Sequence, residues 1–115
     1  MNAVKVKEPI AIDALIQAIR QGNDFDDDLC LYSSGDADRI RSDVVCYLDD
    51  YPCVINDEDK YSAFVSSNSL YLLYYGEPFK DVVLNVLSQD PQASIGKIIE
   101  ALNYYMENDN FLDIG

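Results

Sequence analysis

Histidine and tryptophan are both absent, and only eight lysines and arginines stand against 21 aspartates and glutamates. Without histidine, the Ser–His and Cys–His pairs of nucleophilic hydrolases are excluded. A formal net charge of −13 repels nucleic-acid phosphates and anionic lipid surfaces, so neither direct nucleic-acid binding nor membrane binding is expected. No run approaches the roughly 18 apolar residues that a membrane span needs. Lys5 and Lys7 do precede an apolar stretch over residues 10–19, but Asp13, Gln17 and Arg20 interrupt it at helical spacing. No small-residue cleavage site follows, and the chain is expected to stay in the cytoplasm. The three cysteines, Cys30, Cys46 and Cys53, form no C-x-x-C pair. They are expected as free thiols, and zinc would lack a fourth N or S ligand.

What is present is a globular composition. At 115 residues, 49% of them hydrophobic, with five glycines and four prolines, the chain is long enough for one core without staples. A single domain over residues 1–115 is expected, with no internal repeat, low-complexity tract or linker.

Helical periodicity marks both ends. Pro9 suits a first helical position; Ile12, Leu15, Ile16 and Ile19 then recur on one face, and Gly22 is placed as a stop. The middle carries short apolar runs expected as strands: 29–32, 44–48, a short edge segment 53–55 after Pro52, 63–65 and 70–75. Acidic loops are expected at 23–28 and 56–59. Gly76 and Pro78 open a second helix, which Asp90-Pro91 ends. Ser94 is placed to cap a third helix with a stripe of Ile95, Ile98, Ile99, Leu102 and Tyr105. Phe111 and Leu112 are expected to fold back onto the core. The order predicts an α+β fold: an N-terminal helix, a mainly antiparallel sheet of about four strands, and two C-terminal helices packed on one face.

Catalytic patterns are thin. Ser94-Ile95-Gly96-Lys97 has S-x-x-K spacing, but without S-D-N and K-T-G partners it is a chance match that helix capping explains. No Gly-rich phosphate loop is present. Carboxylates abound, but beside other carboxylates in loops, unlike an acid/base pair in a pocket. Asp24, Asp26 and Asp28 imitate the start of an EF-hand loop, yet Leu29 stands where glycine is required and Gly35 where a bidentate glutamate is required. The sequence therefore points to no enzyme, no cofactor and no metal.

Charge placement is the stronger signal. Residues 24–59 hold twelve acids against Arg39 and Arg41, a local charge of −10. Concentrated like charge is relieved by a docked cationic surface. Tyr32, Tyr47, Tyr51 and Tyr61 are interleaved with these acids, and tyrosine supplies large contact area with few rotors. The expected partner-binding residues are Asp24, Asp26, Asp27, Asp28, Asp49, Asp50, Tyr51, Asp57, Glu58 and Asp59. The blander reading is that the acids only confer solubility and the tyrosines are ordinary strand residues.

Leu29-Cys30-Leu31-Tyr32, Val45-Cys46-Tyr47-Leu48-Asp49-Asp50, Asp90-Pro91-Gln92-Ala93-Ser94-Ile95 and residues 104–111 resemble a family of small acidic bacterial proteins known only as a domain of unknown function. Its members carry an LYLP-like strand, a CLVLDPDD-like strand with an acidic loop, and an ending close to P-x-A-S-I-x-E…YYYDNDAF. The resemblance spans residues 29–112. It departs in lacking the family's tryptophans and in placing Lys97 where an acid is expected. Such proteins resemble the immunity proteins of contact-dependent growth inhibition. The resemblance implies stoichiometric neutralisation of a toxin's C-terminal domain, a basic nuclease, in the cytoplasm. The alternatives are an acidic regulator or adaptor that binds another protein, or itself as a homodimer, and a DNA mimic.

Overall fold

The computed structural model describes residues 5–22, 25–26, 28–35 and 39–113. The first helix, α1 (Ile12–Arg20), buries Ile12, Leu15, Ile16 and Ile19 as its periodicity predicts. It begins at Ile12 rather than Pro9, because β1 (Ile10–Ala11) is drawn into antiparallel pairing with Cys46 and Val45. Gly22 ends the turn at φ +84°, a left-handed conformation that glycine adopts without strain.

The fold is α+β. Strands β2 (Leu29–Ser33), β3 (Val45–Asp50) and β6 (Tyr71–Tyr75) join β1 in a four-stranded antiparallel sheet of order β1-β3-β2-β6. β2 is central and every residue in it is buried. Alternation sends Leu29 and Leu31 to one face and Cys30 and Tyr32 to the other. In β6 the register to β2 slips between Leu72 and Tyr74. The bulge at Leu73 lets two consecutive residues, Leu73 and Tyr74, enter the same core.

That core lies under α1, α3 (Gly76–Gln89) and α4 (Ile95–Asn108). As expected, Ser94 caps α4, its hydroxyl accepting from Lys97 N–H at 3.1 Å, and Asp90 closes α3. Phe111 returns to the Tyr105 ring at 5.5 Å, and Leu112 packs on the core. A buried Asn103 on α4 grips the backbone of Ile40: its Oδ1 accepts from Ile40 N–H at 2.7 Å and its Nδ2 donates to Ile40 C=O at 3.0 Å. Among the described residues no helix is long and apolar enough to cross a membrane.

Two segments depart from expectation. Residues 63–65, expected as a strand, belong to helix α2 (Ala63–Ser67). Capping outweighs the β propensity of Phe64 and Val65: Ser62 accepts from Val65 N–H at 3.2 Å and donates to the buried Asp49 carboxylate. The segment 56–59, expected as a loop, instead turns a hairpin of β4 (Cys53–Ile55) and β5 (Glu58–Lys60). Asn56 and Asp57 take φ +54° and +64°, the pair of left-handed residues that a two-residue hairpin turn requires. The sheet is also covered on its second face. There Val65 of α2 packs on Cys30 and Tyr32, with Tyr51, Phe64 and Leu72 around them.

A candidate partner-binding surface

Antiparallel register decides which side chains meet. Leu29 opposes Asp50 and Cys30 opposes Tyr75, so the start of β2 and the ends of β3 and β6 share one end of the sheet. Asp28, Asp50 and Glu77 are exposed beside these three strand ends. Between them the rings of Tyr51 and Tyr75 stack, with centroids 5.4 Å apart. The Glu77 backbone also lies beside the Tyr51 hydroxyl. Tyr61, which follows the hairpin, sets its ring edge-on to Tyr32 at 6.1 Å. The result is a tyrosine ledge framed by carboxylates, with the exposed hairpin and its Asp57, Glu58 and Asp59 beside it.

The phenols of this ledge are held protonated. Burial pushes Tyr51 and Tyr61 upward, and the nearby Asp59 adds to the rise at Tyr61 while Cys30, Glu77 and Tyr75 add to it at Tyr51. Tyr32 is driven further up, by burial first and then by the Cys30 sulfur, while its hydroxyl donates to the Asp50 carbonyl at 2.6 Å. Cys30, beneath them, is raised by burial to about 11 and Cys46 to about 12. Neither is a thiolate at neutral pH, so neither is an activated nucleophile. Cys53 is exposed on β4, and all three cysteines are free.

Two residues position this end of the molecule. Lys80 of α3 is buried and donates to the Phe25 carbonyl at 2.6 Å, its ammonium 5.2 Å from the Phe25 ring. That contact ties the segment before β2 to α3, and the Asp26 backbone carbonyl closes the segment by accepting from Leu29 N–H at 3.1 Å. Gly76 supplies the second tie. A Cβ there would lie 1.9 Å from the Leu29 carbonyl oxygen, so the helix can start this close to β2 only without a side chain.

Of the residues expected to bind a partner, Asp26, Asp28, Asp50, Asp57, Glu58 and Asp59 are exposed, and Tyr51 is half-buried. Asp49 is different: it is buried, its carboxylate receives the Ser62 hydroxyl, and Lys7 lies 3.4 Å from the other oxygen as an ion pair. Its place in β3 turns it toward α2, and it is not available to a docked molecule. Asp24 and Asp27 lie outside the described residues. Tyr75 and Glu77 were missed by sequence reasoning, because only the β2–β6 register brings them beside Tyr51. Among the described residues no three or more Cys, Asp or Glu side chains converge to hold a metal.

Fold and surface together define a small acidic α+β protein with an aromatic, carboxylate-framed ledge at one sheet end. The chain belongs to the family described as a domain of unknown function (DUF7716), whose pattern matches residues 10–114. No curated protein and no solved structure matches it.

Proposed function

We propose that this is a non-catalytic binding protein that captures a cationic protein partner on the Tyr51–Tyr75 ledge and its flanking carboxylates. The observation that carries this reading is the stacking of Tyr51 on Tyr75 at 5.4 Å, between the exposed Asp28, Asp50 and Glu77. Packed tyrosines supply contact area at little entropic cost, and surrounding carboxylates steer a basic surface toward them. Nearby cations are already engaged: Lys60 pairs with Glu58 at 3.1 Å, and Lys80 is buried under Phe25.

Following the resemblance to immunity proteins, the partner is the C-terminal toxin domain of a contact-dependent growth inhibition system, a basic nuclease. A nuclease holds phosphate with cationic groups, and carboxylates can occupy the same groups in its place. The protein would then act in the cytoplasm, one molecule per toxin, with no cofactor.

Where the gene upstream encodes an exoprotein with a basic C-terminal domain, co-expression with that domain tests this reading. Growth rescue and one-to-one co-purification are expected, and both should fail when Asp57, Glu58 and Asp59 are replaced by lysine in a chain that still folds. Complex formation without rescue would support the adaptor reading instead. Absence of any complex with a basic protein would refute the proposal.

A further inference from the structure

β6 ends the four-stranded sheet, and among the described residues no other strand pairs with its outer edge. Open edges are normally blunted by lysine, proline, shortness or a bulge. Over Tyr71–Tyr75 β6 has no lysine and no proline and runs for five residues, all aromatic or leucine, with Tyr71 and Tyr75 about half exposed. Its bulge at Leu73 turns one more side chain inward.

A groove of about 270 Å³ runs beside it, touched by all of residues 72–75 and lined also by Pro78, Tyr105 and Met106. Successive strand residues point to opposite faces except across a bulge. Leu73 and Tyr74 enter the core under the helices and Leu72 packs on the opposite face, so a groove that touches all three opens at the sheet edge and not over one face. It has room for one or two aliphatic side chains beside a row of backbone groups that want a partner. Asp109 stands in the groove, Glu77 lies just past the end of the strand, and Tyr75 is also half of the stacked pair on the ledge.

We infer that the outer edge of β6 is a strand-addition site that takes an extended, basic segment of the partner. The inference rests on the reading of the partner as a cationic protein and names how part of it docks. Backbone hydrogen bonds to β6 would supply register, an aliphatic side chain would fill the groove, and basic side chains would reach Asp109 and Glu77. A second copy of this chain is the wrong occupant, since two molecules of charge −13 would be brought edge to edge.

The test leaves the fold untouched by modifying the probe. A short peptide alternating valine and lysine is titrated into the isotope-labelled protein, together with two versions N-methylated on alternate residues in opposite phase. Amide shifts are expected at residues 71–75 and 105–109. One N-methyl phase should weaken binding roughly tenfold or more, and the other should do little, since only one phase removes hydrogen-bonded N–H groups. Met106→Lys, at an exposed position, should weaken the unmethylated peptide by a similar factor. Shifts confined to residues 50–61 with no N-methyl effect would overturn strand addition and leave the cationic reading standing. No binding of the peptide anywhere would overturn both. A free protein that already dimerises through residues 71–75 would assign the edge to a second copy.

Discussion

Replacing Gly76 by alanine probes the joint on which the ledge depends. The new methyl carbon would lie 1.9 Å from the Leu29 carbonyl oxygen, 2.9 Å from its carbon and 3.1 Å from the Phe25 ring. Ordinary contact lies near 3.5 Å, so the first turn of α3 must retreat by roughly 1.5 Å. The obstacle is the backbone of a fully buried central strand, which cannot swing aside as a flexible side chain could. Overpacking of this kind costs about 3 kcal/mol. Alanine's better helix propensity returns about 1 kcal/mol at most, and less at a first helical turn. A net loss of about 2 kcal/mol should lower the midpoint of thermal unfolding by roughly 8 °C in a domain of this size. Differential scanning calorimetry measures it, and near-ultraviolet circular dichroism should report a loosened Tyr51–Tyr75 stack. An unchanged or raised midpoint would refute the claim that close approach of α3 to β2 dictates glycine here.

Three further perturbations separate scaffold from surface. Asn103→Ala would strand the N–H and C=O of buried Ile40 together; a loss of about 2–4 kcal/mol is expected in urea unfolding, with the slope unchanged. Alkaline titration should unfold the protein, because burial raises Cys30 from 9.0 to about 11 and Cys46 from 9.0 to about 12. Both thiols keep their protons in the fold while the unfolded chain releases them, so this stability is complete below pH 9 and declines from there toward pH 11–12. Each group contributes a slope of up to about 1.4 kcal/mol per pH unit, and Cys46→Val should reduce the slope measured by denaturant unfolding across that window. Replacing Glu58 and Asp59 by lysine should leave the unfolding midpoint nearly unchanged, since both are exposed on the hairpin, while slowing capture of a basic partner in stopped-flow mixing.

Much of the scaffold was legible in the sequence because its periodicities are strong. Ile12, Leu15, Ile16 and Ile19 fix the buried face of α1, and Ser94 marks the start of α4 with its hydroxyl. The start of α1 was misplaced because Pro9 suits a helix, while pairing of Ile10 and Ala11 with a strand that begins at Val45 cannot be read locally. Residues 63–65 resemble a strand in composition. The deciding group is the carboxylate of Asp49, which engages the Ser62 cap from thirteen residues away. Asn56-Asp57 did carry a local signal, since asparagine and aspartate tolerate left-handed backbone and favour a two-residue hairpin.

The site was legible in composition and not in arrangement. Acids and tyrosines were plainly concentrated between residues 24 and 61, but adjacent letters hid opposite fates: Asp49 faces α2 and is buried, whereas Asp50 is exposed. Tyr75 and Glu77 join Tyr51 only through a register set by the bulge at Leu73. Pairing across strands, and not spacing along the chain, assembles the ledge.

Stopped-flow association with the proposed basic partner, followed from about 50 mM to about 500 mM salt, probes steering by the carboxylate frame. The account predicts a rate that falls by roughly tenfold or more while dissociation changes little. A rate indifferent to salt would contradict it.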